Sequence, residues 1–294
     1  MQNGVAVAGG NGEGNGLSQL SLPIGIYVDD DQTIYIADQW NHRIVKWKSG
    51  AKSGRVVAGG NGPGNRTDQL NQPTDVTLHK ESNSLIISDR GNKRVMCWPR
   101  QNGASGQIII SDIDCSHLSM DHDGYLYVSD VEKHEVRRWR VGDRTGTVVA
   151  GGNRKENRLD QLNDPSFIFL DEDQSVYVSD WENHRVMKWK KGSREGIIVA
   201  GGRDEGNGLS QLSGPQGVIV DQLGTVYVAD FNNNRIMRWY NGATGGTVVV
   251  GGNGNEQQPN QLNGPQGISF DRHGNLYVVD QWNHRVQQFN IERY

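Results

Sequence analysis

Apolar residues in this chain come in short β-branched runs broken by Gly, Asp, Asn and Ser. Residues 24–28 and 33–37 are two such runs, separated by the turn-like Asp29-Asp30-Asp31-Gln32. A third run, 42–48, alternates poorly but is rich in Ile, Val and Trp. A fourth, 55–58, follows the turn Ser49-Gly50-Ala51-Lys52-Ser53-Gly54. No stretch sustains a 3.6-residue apolar period, so the pattern predicts strands and no substantial helix. The four-run unit then repeats, and one aspartate registers every copy: Asp38, Asp89, Asp130, Asp180, Asp230 and Asp280. The intervals are 51, 41, 50, 50 and 50 residues. The short one marks a junction between the second and third copies where a glycine-rich connector has been lost.

Six copies of a four-stranded antiparallel unit predict an all-β, six-bladed β-propeller. Its blades fall at about 22–58, 72–110, 115–150, 164–200, 214–250 and 264–290, within a single domain spanning 1–294. The sixth copy runs out after Phe289 without a fourth strand. The opening Gly4-Val5-Ala6-Val7-Ala8-Gly9-Gly10 matches Arg55-Val56-Val57-Ala58-Gly59-Gly60, a fourth strand lacking its blade. Pairing residues 4–8 with the last blade would close the ring and remove two open sheet edges.

The runs Asn41-His42-Arg43-Ile44, Asn183-His184-Arg185-Val186 and Asn283-His284-Arg285-Val286, each following Tyr-x-x-Asp, resemble NHL repeats. Asn92-Lys93-Arg94-Val95 and Asn233-Asn234-Arg235-Ile236 are weaker copies, and the third blade departs with Lys133-His134-Glu135-Val136. The resemblance covers essentially the whole chain. It implies the propeller fold but little about function, because such propellers serve as protein-binding platforms, RNA-binding domains, sensors and, in related groups, metal-dependent lyases or hydrolases.

Composition narrows the setting. The 294 residues include 39 glycines, well above the ordinary share of about 7%, and these suit connectors that need positive φ. With 30 Lys+Arg against 34 Asp+Glu, the net charge of −4 argues against wholesale phosphate binding. No apolar run approaches the ~18 residues of a membrane span. The first residues lack the basic segment and apolar core of a secretory leader, so the chain is expected to be soluble and not membrane-inserted. Cys97 and Cys115 are too few for a disulfide framework. Asn65-Arg66-Thr67 is a glycosylation sequon, relevant only to a secreted protein.

Each registering Asp is expected to bond its following loop and the Arg five residues on. Glu135 stands where the third copy needs that Arg, so Asp130 must find another partner. Trp47, Trp98, Trp139, Trp189, Trp239 and Phe289 share one third-strand position and read as wedges between blades. His42, His184 and His284 read as loop caps, and Asp-rich turns such as Asp121-His122-Asp123-Gly124 as ordinary hairpin turns.

Three sets of residues stand out as candidates for function. Trp40, Trp181, Phe231 and Trp282 lie just after the registering Asp, in loops that share a face with the connectors and should cluster around the mouth of the channel. Near the axis, the position two residues after the blade-opening proline or its equivalent reads Gly25, Asp75, His117, Phe167, Gly217 and Gly267. Arg90 and Glu132 in neighbouring loops point to the same sector, and Asp75, His117 and Glu132 form a possible divalent-cation set. Third-strand cations such as Lys46, Lys48, Arg138 and Lys188 raise single-stranded RNA. The reading that results is a monomeric, non-catalytic recognition propeller without a cofactor. It binds a protein or glycan through Trp40, Arg90, Trp181, Phe231, Trp282 and Phe167. The alternatives are a metal-dependent lyase or hydrolase with its site in the axial funnel, and RNA binding.

Overall fold

A computed structural model describes residues 2–101, 103–140 and 142–291. Six four-stranded antiparallel sheets follow one another in chain order. Blade 1 consists of Pro23–Val28, Ile34–Asp38, Arg43–Trp47 and Arg55–Gly59. Blades 2 to 5 repeat this over 75–111, 115–151, 165–201 and 215–251. Blade 6 takes Pro265–Phe270, Leu276–Asp280 and Arg285–Phe289 from the end of the chain and Val5–Gly9 from its beginning. That last pairing is antiparallel, with Val5 opposite Gln288 and Gly9 opposite Arg285. The ring is closed as the repeat pattern predicts.

The first strands pack around the axis and the buried wedges lie between blades. Trp47, Trp98, Trp139, Trp189, Trp239 and Phe289 are all buried. Each apolar cluster joins two successive blades; one combines Ile44 and Ala58 of blade 1 with Leu85 and Trp98 of blade 2. Leu20, Leu70, Leu162, Leu212 and Leu262, in the connectors, are fully buried in the same seams. The connectors are therefore part of the core. Five of the six second-to-third-strand turns are single 3-10 turns, and no described helix is long and apolar enough to cross a membrane.

The ring has two unlike halves. Where blades 2, 3 and 4 meet their successors, a serine before the registering Asp bonds an inner-strand carbonyl of the next blade: Ser88 to Cys115 (2.9 Å), Ser129 to Ser166 (2.8 Å), and Ser179 to Gln216. In blades 1, 5 and 6 that position is Ala37, Ala229 and Val279. There Gly25, Gly217 and Gly267 bring inner strands so close that a Cβ would strike the next blade's backbone. One half of the axis is joined by hydroxyls, the other by backbone contact.

Candidate functional site

The turn after each registering Asp is built by a repeated network. Asp38 Oδ1 accepts from Ser21 N–H at 2.7 Å, and Oδ2 accepts from Asn41 (2.9 Å) and Arg43 Nε (2.7 Å). Burial pushes this carboxyl above its usual range against the pull of the Ser21 N–H and the guanidinium. The remaining Arg43 donors bond the carbonyls of Asn15, Gly16 and Gln19, tying down the preceding connector. The next residues complete the link forward. His42 takes a left-handed conformation (φ 52°), and its Nδ1 accepts from Gln72 N–H of the following blade at 3.1 Å. His134, His184 and His284 do the same to Asp164, Gly214 and Leu22, and Asn234 does so with its amide oxygen to Gly264. These histidines are latches between blades, a role beyond the loop caps that the sequence pattern predicts.

The departures from the repeat now have one cause. No long connector separates blades 2 and 3. Lys93 stands where the forward latch would be, and Glu135 where the backward Arg would be. Two ion pairs brace the junction instead: Arg90 Nε to Asp114 (2.8 Å) and Lys93 Nζ to Glu132 (2.7 Å). Asp130 meets Lys133 instead: the lysine N–H bonds Oδ1 at 3.2 Å, and its Nζ pairs with Oδ2 at 3.4 Å, an ion pair without the hydrogen bond that the arginines make.

The aromatic residues of the turns do not share one position. Trp181 and Phe231 directly follow the registering Asp, whereas Trp40 and Trp282 come one residue later. Trp181 lies 5.4 Å from Phe231 (ring centroids), and Phe231 meets Trp282 edge-on at 5.1 Å, giving a continuous run over blades 4, 5 and 6. Phe231 is buried in its middle. The seat beneath it is glycine. The connector position before the blade-opening proline has positive φ in Leu22, Gln72, Asp164, Gly214 and Gly264 alike (44–61°), so the backbone alone does not demand glycine. Only at 214 and 264 does a ring of the preceding blade come within about 3 Å of a would-be Cβ: Trp181 over Gly214, Phe231 over Gly264. Trp40 has no aromatic neighbour among the described residues and is 57% exposed; Trp282 is 47% exposed.

At the axis, Asp75 and His117 do meet. His117 Nε2 lies 3.3 Å from Asp75 Oδ2, which also accepts from Leu118 N–H at 2.9 Å. Phe167 stacks on the imidazole at 4.4 Å. Asp75 and Phe167 are buried, and Ile24 of blade 1 packs into the cluster holding Phe167 and Val218 from across the ring. The expected open funnel is thus filled at this level. Burial pushes the Asp75 carboxyl well above its usual range and holds the His117 imidazole down to about 3. Asp75 Oδ1 is buried without a hydrogen-bond partner. Glu132 does not join them, and among the described residues no three His, Cys, Asp or Glu side chains gather where they could hold a metal ion.

The third-strand cations are largely engaged along the outer wall. Lys188 Nζ pairs with Asp171 at 3.0 Å and lies over the Tyr177 ring; Arg138 lies over Tyr125. A cleft of about 790 Å³ between blades 1 and 2 is lined by Lys46, Lys48, Arg55 and Arg100. Arg100 is bound there to Asp29 and to the Tyr35 hydroxyl (2.7 Å), and Lys46 lies over the same tyrosine ring. The Asp-rich turns are hairpin turns: Asp121 Oδ1 accepts from Asp123 N–H (3.0 Å) and Tyr125 N–H (2.8 Å).

Residues 20–47, 212–238 and 262–289 match the NHL repeat family model, and the chain carries NHL repeats in a six-bladed propeller. No curated protein matches the sequence. Among solved structures, the chain is similar to a protein of unknown function from Bacteroides thetaiotaomicron (17% identity, 99% of this chain and 76% of that one, TM-score 0.76). It is also similar to an auxiliary nutrient binding protein from the same organism (15%, 100% and 77%, TM-score 0.76). A third similar structure is catalytically inactive virginiamycin B lyase from Staphylococcus aureus with quinupristin (13%, 96% and 99%, TM-score 0.57). At these identities the likeness is one of fold.

Proposed function

We propose that this propeller of NHL repeats is a monomeric, non-catalytic recognition module. It binds a protein or glycan partner on the face formed by the second-to-third-strand turns and the connector ends. One observation carries this reading: Trp40 and Trp282 are about half exposed at a turn position that other blades fill with Gly91, Glu132, Glu182 and Asn232. The turn closes without an indole at that position in the other blades. Trp282 has one packing partner in Phe231, and Trp40 has no aromatic neighbour among the described residues, so folding does not account for an indole there. The name of one similar structure, a nutrient binding protein, is consistent with such a role. Chemistry at Asp75 and His117 has less support, since Asp75 is buried, His117 is half-buried beside Phe167, and Glu132 is held by Lys93. RNA binding has less as well, with Arg100, Lys188 and Arg138 already facing tyrosine rings.

Hydroxyl-radical footprinting in an extract of the cell that makes the protein tests the reading. Trp40 and Trp282 should oxidise more slowly there than in buffer matched for scavenging, while Trp47 stays unreactive in both. Equal rates for Trp40 and Trp282 would remove this face from consideration. As a control on folding, Trp40→Ala should melt with the wild type, Trp282→Ala should lose about 0.5–1.5 kcal/mol with its Phe231 contact, and Trp47→Ala should lose about 3–5 kcal/mol.

A further inference from the structure

We infer that the twin turns Gln39-Trp40-Asn41-His42 and Gln281-Trp282-Asn283-His284 form a platform for a neutral oligosaccharide, an inference that rests on the recognition reading above. The two tetrapeptides are identical in sequence and sit in blades 1 and 6, which are neighbours across the closure of the ring. Both make the same 3-10 turn and end in a left-handed histidine, at φ 52° and 51°. The fold therefore presents two indoles at equivalent places on successive blades. Neither indole N–H donates to another described residue, in contrast to Trp47 and Trp98, whose N–H groups bond Ala51 and Gly103 at 2.9 Å.

The polar groups around these rings decide the class of ligand. Gln39 is half-buried, with a side-chain amide that bonds no described residue. Gln281, by contrast, is buried and accepts from Gln266 at 3.2 Å. The guanidinium groups of these turns are already matched: Arg43 on Asp38 and Arg285 on Asp280. What remains is flat apolar surface, two indole donors and the uncharged amide of Gln39. A pyranose ring complements that set, with one face of C–H groups to lie on an indole and hydroxyls at its edge to meet amide and N–H. Two equivalent indoles on successive blades suit a ligand that repeats the same unit. A folded protein partner would call for a broader exposed apolar patch: Phe231, which joins Trp282 to Trp181, is buried.

Glucose, cellohexaose, maltohexaose, xylohexaose and hexa-N-acetylchitohexaose are the probes, titrated into the whole protein by calorimetry and indole fluorescence at low and high salt. At least one hexasaccharide should bind, more tightly than glucose and without loss at high salt. Trp40→Ala and Trp282→Ala should each weaken it by at least about tenfold, Trp40→Ala with melting unchanged, and Trp40→Phe should retain part of the affinity. Binding by none of the oligosaccharides, or binding that both alanine variants leave intact, overturns the inference. If no sugar binds while Trp40 and Trp282 remain protected in the cell extract, only the ligand class is wrong. If protection is absent too, the recognition face itself is wrong.

Discussion

Asp75 and His117 are a carboxylate and an imidazole at axial positions, amid glycines elsewhere in the ring. In the fold they face each other at 3.3 Å beneath Phe167, and burial opposes charge on both. The unfolded carboxyl titrates near 3.9; in the folded protein it holds its proton to higher pH. Its contribution to stability is thus fully present below about pH 3.9 and is lost as pH rises through the folded value, at up to about 1.4 kcal/mol per pH unit. Asp75→Asn carries no charge to bury. Relative to wild type it should gain stability steadily as pH rises above 4, read from urea midpoints at several pH values. An advantage that does not grow with pH would show that Asp75 is ionised and satisfied where it lies.

At the scale of the repeated turn, each Asp–Arg pair does two things: it neutralises a buried carboxylate and it ties the connector before it. Arg235 bonds Asp230 at 2.7 Å and the carbonyls of Asn207, Gly208 and Gln211. Arg235→Ala leaves that carboxylate buried and three carbonyls without their donor, so it should cost about 3–5 kcal/mol. Glu135, at the equivalent place in blade 3, has no connector to hold, and its side chain bonds Arg137. Glu135→Ala should cost well under half as much in the same urea unfolding measurement; equal losses would mean that the connectors contribute nothing through the arginines. Much of this was legible in the sequence: the Asp–Arg spacing, the wedge tryptophans and the need for another donor at Asp130. The histidine latch was not, because its partner lies 30 residues on and is a backbone N–H, invisible in residue identity. Arg90 and Glu132 are a second case. Their ion pairs compensate for a missing connector, and only the spatial junction shows that Asp114 and Lys93 are within reach.

For the whole molecule, closure was readable because an orphan strand at one end matched a missing strand at the other. The filled axis was not, since contact between Ile24 and the cluster around Phe167 depends on the bend that bulges put into the inner strands. Closure is also where the proposed platform stands, with Trp282 and Trp40 on the two blades that flank it. Without Val5–Gly9, the third strand Arg285–Phe289 would become an open edge and the buried Phe289 would lose its cover at Gly4. Ala8, which packs with Leu20 and Val286, would leave a gap in the same seam. Deleting residues 1–9 should therefore lower stability by several kcal/mol, on the order of 1 kcal/mol for each ladder hydrogen bond lost, and promote self-association. A peptide of residues 2–12 added in trans should restore the melting temperature in a concentration-dependent way, because it binds only the folded ring. Recovery by peptide assigns the loss to the missing strand; a deletion that melts with the intact chain would mean that the ring is held by its inner strands alone. The relative placement of the two tryptophan turns would then not depend on closure.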